Sequence, residues 1–445
     1  MIPLFPKIDK NKKTVEEIPV KELLQKFGSP LFIFSERIIR KKYSLFKTAL
    51  DKYYPNSQIA YSVVANYLPG ILRVLKEEGV WAEATSGFEY WLAKKLGFGN
   101  NKIIFNGPDK KSDGLLNALR GGAMINTDNF TELERIGALT KKLGEEFSIG
   151  IRINVATGES FLSRFGFELE SGEAYRILKT LTKKFPKIKI RGLHTHLNAN
   201  INETGPYAIA AEKLSDFAQV LKKDFGFKIE YLNLGGGFAV PGARLLNNPI
   251  WVVPDVDEYV KEVAGVLNKK FPDDKPKLFF EPGRYLVDES GILVTTVINS
   301  KMTSLYPQQT RIGVFLSLYA GKNKENNFQL VTIDASSASL LSGMKYRHHL
   351  VELVTDQNHT SNGELNTLIG GNSCMPNDFI SWDAKMPQLF PGDNLIFYNV
   401  GAYELSRSAQ FIHPRPAVVI IKEGENAECI RKKETFEHMV ALDKF

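Results

Sequence analysis

From about residue 58 to residue 285, short apolar runs alternate with longer stretches whose apolar residues recur at helical spacing. The short runs are Ile59–Val63, Trp81–Thr85, Ile103–Asn106, Met124–Asn126, Ser148–Asn154, Ile188–His194, Tyr231–Leu234 and Leu278–Glu281. Between them lie the amphipathic stretches Tyr67–Glu78, Gly87–Leu96, Lys111–Leu119, Phe130–Leu143, Glu173–Phe185, Tyr207–Phe225 and Asp257–Phe271. Strand-then-helix repeated about eight times predicts a closed parallel (β/α)8 barrel, TIM-like. A doubly wound open sheet is the competing architecture, but no Rossmann glycine pattern opens the first helix.

Upstream, Val20–Phe27 reads as a short amphipathic helix and Leu31–Phe34 as a strand. Ser35 sits where it would cap a helix running through Lys52. After Gly291 the texture changes to strands joined by polar loops: Ile292–Ile298, Gln329–Ile333, Leu365–Ile369, Asn394–Tyr398 and Ala417–Ile421. The expected organisation is an N-terminal segment, 1–34, joining the second domain, a barrel over 35–290, and a mainly β domain over 291–445. Asp356–Asn366 reads as the most loop-like part of the second domain. Phe238–Pro254 is a long loop that either covers the barrel mouth or packs at a subunit contact.

Composition changes this picture little. With 43% hydrophobic and 24% charged residues, this is an ordinary globular composition. The net charge of +7 over 445 residues is mild, and the lysine pairs form no basic tract that argues for nucleic acid. Cys374 and Cys429 are the only cysteines, which gives neither a disulfide framework nor zinc-ligand spacing. No stretch is long enough to span a bilayer, and the start of the chain lacks an apolar signal core. A soluble, cytoplasmic protein is expected, with no membrane partner.

Barrel chemistry sits at the C-terminal strand ends. Here these ends offer Glu83 to Ser86, Asn106, Asn126 and Asp128, Arg152 and Asn154, His194 and His196, Gly235 to Gly237, and Glu281 to Arg284. Glu281 ends a buried strand, with Pro282, Gly283 and Arg284 after it. It is either one half of a surface ion pair with Arg284 or the carboxylate for a cationic ring nitrogen, with Gly283 and Arg284 near a phosphate. Gly235, Gly236 and Gly237 are either a flexible turn or a place where backbone amides approach an anion. His194 and His196 share one strand face. They are zinc ligands without a third partner, hydrogen-bonded core residues, or, for His196, a flat ring that packs on a cofactor. Cys374, in a glycine-rich polar loop, is either an inert thiol or a partly exposed acid. Tyr403, in a turn after a strand, is either packed or a donor to a phosphate.

Taken together and in order, these motifs resemble the fold-type III pyridoxal-phosphate amino-acid decarboxylases, the diaminopimelate and ornithine decarboxylase family with its alanine racemase-like barrel. The resemblance covers about residues 28–425. It implies pyridoxal 5'-phosphate as cofactor and a small amino acid as substrate. Glu281 would lie on the ring nitrogen, and Gly235, Gly236, Gly237, Gly283, Arg284 and Tyr403 around the phosphate. His196 would stack on the ring, with Arg152 near its hydroxyl and Glu83 also in the cofactor site. Cys374 would protonate the carbanion left by carbon dioxide, reaching into the barrel of a second copy. A homodimer with shared active sites follows.

The departures are specific. The family's first barrel strand runs into a Tyr-Ala-Val-Lys-Ala-Asn-like segment whose lysine forms the Schiff base. Here the segment is Tyr61-Ser62-Val63-Val64-Ala65-Asn66, and Val64 stands at the lysine position. Valine has no amine, so the covalent route is closed there. The family's His-x-Gly-Ser becomes His196-Leu197-Asn198-Ala199, and its Cys-Glu-Ser becomes Cys374-Met375-Pro376. Three readings follow: a decarboxylase-family protein whose lysine is replaced, naturally or by engineering; a pseudoenzyme that binds the cofactor noncovalently or not at all; or a chain in which Lys110 or Lys111 substitutes.

Overall fold

A computed structural model describes residues 3–158, 163–242, 253–304, 327–340, 349–355 and 363–445. The chain divides into two compact units, one holding Ile39–Val240 and Val252–Leu286, the other Ile2–Ile38, Pro241–Trp251 and Val287–Phe445.

The first unit is a closed barrel. Its eight parallel strands are β1 (Ser57–Ser62), β2 (Trp81–Ala84), β3 (Ile103–Phe105), β4 (Met124–Thr127), β5 (Phe147–Asn154), β6 (Ile188–His194), β7 (Tyr231–Asn233) and β8 (Lys277–Phe280). Each pairs in parallel with the next; β4 pairs with β5 and β8 returns to β1, so no edge is left and the open-sheet alternative falls. The strands alternate with α1 (Pro69–Glu77), α2 (Gly87–Lys95), α3 (Ser112–Arg120), α4 (Phe130–Leu143), α5 (Glu173–Lys184), α6 (Gly205–Phe225) and α7 (Val256–Lys270). Local chemistry sets their ends. The Ser86 and Asn129 side chains accept from the N–H groups of Glu89 and Glu132, and Asp255 and Glu258 form a reciprocal capping box on α7. Ser35 does not act this way: among the described residues its buried hydroxyl has no hydrogen-bond partner at the start of the helix Glu36–Tyr53. Buried Ile, Leu, Val and aromatic side chains fill the space between strands and helices, with Phe46, Tyr207, Phe238, Tyr259, Phe280 and Tyr285 in one edge-to-face and stacked cluster.

The lumen is filled in an unusual way. Gly150 on β5 and Gly192 on β6 leave room for the Tyr231 ring. A Cβ on Gly192 would lie 2.0 Å from that ring, and one on Gly150 would lie 2.1 Å from its hydroxyl. The Tyr231 ring thus comes from β7 and crosses toward β5 and β6.

The second unit is a mixed sheet. Gly291–Ser304 lies at its centre, antiparallel to Leu31–Ser35, Asn327–Ile333 and Asn394–Tyr398. Ala417–Ile421 runs parallel to Leu31–Ser35, which is thereby a strand of this sheet. The strands Val351–Val354, Phe379–Met386 and Glu428–Arg431 are additions that the sequence reading omits. Residues 243–252 of the Phe238–Pro254 loop and 356–362 of Asp356–Asn366 lie outside the described residues. No described helix is long and apolar enough to cross a membrane.

Candidate functional site

Five strand ends converge on two buried carboxyl groups. Glu83 leaves β2 and Glu281 follows β8; they are 2% and 4% exposed. The Asn106 amide joins them, its Nδ2 donating to Glu83 Oε1 at 3.1 Å and to Glu281 Oε1 at 2.9 Å. Asn233 Nδ2 donates to the same Glu281 oxygen at 2.6 Å, and Ser62 Oγ donates to Glu83 Oε2 at 2.6 Å. Asn126 orients Asn106 by donating to its Oδ1 at 2.8 Å, and the Tyr231 hydroxyl donates to Asn126 Oδ1 at 2.7 Å. A single hydrogen-bonded chain therefore runs up the lumen from Tyr231 to the carboxyl pair. Asn106 and Asn126 are visible in the sequence as strand-end polar residues, but nothing in one sequence shows that they would meet.

The pair splits its charge. Burial, reinforced by repulsion from Glu281, pushes Glu83 well above the usual carboxylate range. Burial also acts on Glu281, but His194, Asn233 and Asn106 outweigh it and hold that group below its usual range. The two environments thus push the carboxyl groups apart, Glu83 toward the neutral acid and Glu281 toward the carboxylate. A raised carboxyl favours the folded state at low pH, and that contribution is lost as pH rises through the folded-state value. Glu83→Gln copies the protonated form: it should match the parent in stability near pH 5 and exceed it near pH 8, by about 1.4 kcal/mol for each pH unit over which the folded parent keeps a proton that its unfolded chain has lost. Urea unfolding at the two pH values measures this, and equal offsets at both would show that Glu83 is already ionised.

His194, 1% exposed, faces Glu281 Oε2 with its Nε2 at 3.4 Å, longer than a good hydrogen bond, and burial holds the imidazole below its ordinary range. Among the described residues neither ring nitrogen has a hydrogen-bond partner. Glu281 thus keeps acceptor capacity on Oε2 beyond what the protein uses. His196, at the open mouth, accepts from the Gly236 N–H through Nδ1 at 3.2 Å. The barrel walls and the nearby Arg152 guanidinium hold it below the usual imidazole range, although the ring is open to solvent. Arg152 pairs with Asp128 at 3.3 Å and lies over the Phe165 ring.

The glycine run is tightly held. The Gly235 N–H donates to Asn233 Oδ1, so two of the three amides serve side chains of the site itself. Gly237 has φ +95°, and a Cβ there would lie 1.9 Å from the Asn198 carbonyl oxygen, so glycine is required by packing alone. Gly283 packs against Ala65 and Ser62, and Arg284 opens the short helix Arg284–Val287. Val64 lies just past β1 in a 3-10 turn, Val63–Ala65; it is half-buried between the buried Val63 and Ala65. Lys110 is no free amine: fully buried, it donates to the carbonyls of Gly107 at 2.8 Å and Asn126 at 2.9 Å and pairs with Glu132 at 2.8 Å. Lys111 is exposed beside it.

Cys374 and Tyr403 belong to the second unit. Cys374 is an exposed thiol in the turn between Leu365–Gly370 and Phe379–Met386, a turn anchored by Asp378 on the N–H groups of Ser337 and Ser373. Tyr403 has φ +70° and precedes the helix Glu404–Arg407. Among the described residues no group of three His, Cys, Asp or Glu side chains is arranged to hold a metal.

Comparison with known proteins gives this arrangement a lineage. Residues 36–288 match the pyridoxal-binding domain model of the pyridoxal-dependent decarboxylases. The chain belongs to that family. Within it, the chain is similar to diaminopimelate decarboxylases: 28% identical to that of Methanothermobacter thermautotrophicus, over 98% of this chain and 97% of the other. It is 27% identical to the Bacillus subtilis protein, over 95% and 92%. The crystal structure of diaminopimelate decarboxylase from M. jannaschii superposes with a TM-score of 0.84 at 25% identity, covering 99% of this chain and 98% of the other. The fold is therefore the fold-type III barrel with its mixed β-sheet partner.

The buried groups fit such a cofactor at its ring end. Glu281 is an ionised carboxylate with acceptor capacity to spare, which is what a protonated pyridine nitrogen needs. At position 64 the chain offers no amine.

Proposed function

We propose that this chain is a lysine-less relative of the diaminopimelate decarboxylases that binds pyridoxal 5'-phosphate noncovalently and acts as a binding or regulatory partner rather than as a decarboxylase. The observation that carries the proposal is the combination at the mouth: an intact Glu281 carboxylate held by Asn106 and Asn233, with Val64 at the tether position and Lys110 locked among three acceptors.

Bound there, the cofactor would supply an electron-withdrawing ring and an aldehyde. Glu281 would accept the ring N–H, and His196, fixed by the Gly236 N–H, would lie along the ring face. Arg152 would stand near the ring hydroxyl, and Gly235 to Gly237, Gly283, Arg284 and Tyr403 would surround the phosphate. Glu83 would hold a proton next to this group without taking charge. We further propose a homodimer in the cytoplasm that shares its sites through Cys374; the exposed rings of Phe88 and Trp91, with the half-buried Tyr67 against Phe88, support a subunit contact.

A second reading, retained decarboxylation of an amino acid with a free carboxylate, is favoured by the undisturbed Glu281 array, which a protein with no use for ring electronics would not need. Incubation with the cofactor, followed by borohydride and peptide mass mapping, tests the main proposal. The expected result is retained cofactor by equilibrium dialysis with no reduced lysine adduct. An adduct on any lysine of the barrel mouth, or carbon dioxide release from labelled amino acids, would overturn it.

A further inference from the structure

The second unit has a polar cavity of its own. Leu31–Ser35 and Ala417–Ile421 are parallel, so both start at one end of the sheet. Asn327–Ile333 and Leu365–Gly370 are parallel to each other and finish at that same end, because Asn327–Ile333 and Leu31–Ser35 both run antiparallel to Gly291–Ser304. Glu428–Arg431, antiparallel to Ala417–Ile421, finishes there too. The chain just before or after these five strand ends encloses a cavity of about 190 Å³. Pro30, Pro414 and Pro416 form part of its wall and offer no N–H, so recognition there falls to side chains.

Two opposite charges line this one cavity without meeting. Asp334 accepts the Thr296 N–H on Oδ1 at 2.8 Å, and the Ser29 side chain bonds to it as well. Burial raises its carboxyl above the ordinary range, and the charge of Lys433 acts against that. Lys433 is thus near enough to be felt, yet among the described residues neither group forms an ion pair, with the other or elsewhere. A carboxylate and an ammonium kept apart across one cavity suit a ligand that carries both charges in the reverse order. Ser336, 4% exposed, also lines it. Its Oγ accepts the Ala338 N–H at 3.2 Å, which leaves its own O–H to donate.

The wall is braced. The Asn372 amide donates to the Asp334 carbonyl oxygen at 2.9 Å, and His413 Nε2 donates to the Asn372 carbonyl oxygen at 3.2 Å. Ile412, next to His413, has φ +51°, a left-handed conformation that is uncommon for a β-branched residue and persists only where its surroundings dictate it.

We infer that this cavity binds a small α-amino acid as its zwitterion, the ammonium on Asp334 and the carboxylate on Lys433 and the Ser336 hydroxyl. Room for roughly six water-sized groups admits a side chain the size of that of alanine or serine. Asn372 stands just before Ser373 and Cys374, so an occupant would steady the turn that carries this thiol.

The test is isothermal titration of the full chain, dialysed free of cofactor, with L-alanine, with L-alaninamide, which keeps only the positive charge, and with N-acetyl-L-alanine, which keeps only the negative one. We expect one site per chain, at least tenfold preference for alanine over either relative, and the same site when saturating pyridoxal 5'-phosphate is added. Lys433→Met should bring alanine down to the affinity of its amide, and Asp334→Asn should bring it down to that of the N-acetyl compound. Lys433 is exposed, so its variant keeps the fold and decides the matter even if Asp334→Asn, which alters the acceptor of the Thr296 N–H, does not fold by circular dichroism. Equal affinity of alanine and its amide, absence of binding at millimolar probe, or an unaltered preference in Lys433→Met would each overturn the inference. Binding that appears only with the cofactor present would also overturn it, because the amino acid would then belong to the barrel mouth. None of these outcomes depends on whether the mouth holds its cofactor covalently.

Discussion

Val64→Lys should turn a noncovalent complex into a covalent one, taking borohydride-trapped adduct from undetectable to a majority of chains. The geometry favours this over a mere gain of bulk. In the turn that follows β1, Val63 and Ala65 are buried, whereas Ser62 and Val64 are half-exposed, so position 64 presents its side chain on the open side of the turn. Ser62, two residues earlier, reaches Glu83, and Glu83 reaches Asn106 and thereby Glu281. A lysine at 64 therefore leaves from a backbone whose neighbours already define the ring-nitrogen end of the site. A lysine costs rotamer entropy when it is ordered, about 2 kcal/mol at most, which is small against a covalent bond. Mass mapping must find the adduct on residue 64 and on no other lysine. If the variant folds and retains the cofactor but gives no adduct, the mouth has diverged beyond this one position, with Asn198 and Ala199 as the first places to look. If it retains no cofactor at all, the assignment of Glu281 to a ring nitrogen falls as well.

Much of the barrel is legible in the sequence because period and burial agree there. Ile188–His194 and Phe130–Leu143 occur with the expected bounds, and the other strands and helices of the barrel differ by a residue or two at their ends. Parallel strands covered on both sides read as apolar runs, and helices with one polar face read at period 3.6, so the two signals do not interfere. The second unit is harder. Ala417–Ile421 is fully apolar and Asn394–Tyr398 is an apolar and aromatic run after its first residue, so both are easy to find, whereas Val351–Val354 and Glu428–Arg431 are short, partly exposed and mixed in composition. Glu428–Arg431 is a strand because Ala417–Ile421 offers it a partner, a fact that lies outside its own residues.

The site shows the same division. Glu281, His196 and the glycine run announce themselves by residue type at strand ends. The charge state of Glu83 does not, because it depends on Glu281, nearly two hundred positions away, and on one asparagine that bonds both. The contact between Lys277 and Trp81 is invisible for the opposite reason. Each stands at a strand start, where barrel sequence reading expects no chemistry, and only the pairing of β8, β1 and β2 brings them together.

Lys110→Met should cost about 3–5 kcal/mol of stability, the largest loss expected for any single polar substitution in the barrel. Burial drives both members of the Lys110–Glu132 pair toward their neutral forms, and their attraction opposes it. Removing the ammonium leaves a carboxyl group 2% exposed with no cation, and it strips the carbonyls of Gly107 and Asn126 of a donor. Glu132 still accepts the N–H of Asp128 at 3.0 Å, so it cannot simply turn away. The double variant Lys110→Met with Glu132→Gln should recover more than half of the loss. The glutamine carbonyl can take the Asp128 N–H, and its amide can donate to one of the two stranded carbonyls. Urea unfolding of the four proteins in this cycle measures the coupling. An additive cycle would mean that the two side chains act separately. The same variant bears on function. A lysine that carries this much of the barrel's stability through three acceptors is not available to swing toward the mouth, so folded Lys110→Met should hold pyridoxal 5'-phosphate as well as the parent chain. A loss of cofactor without a loss of fold would instead make Lys110 the substitute amine, and the lysine-less reading would fail at its foundation.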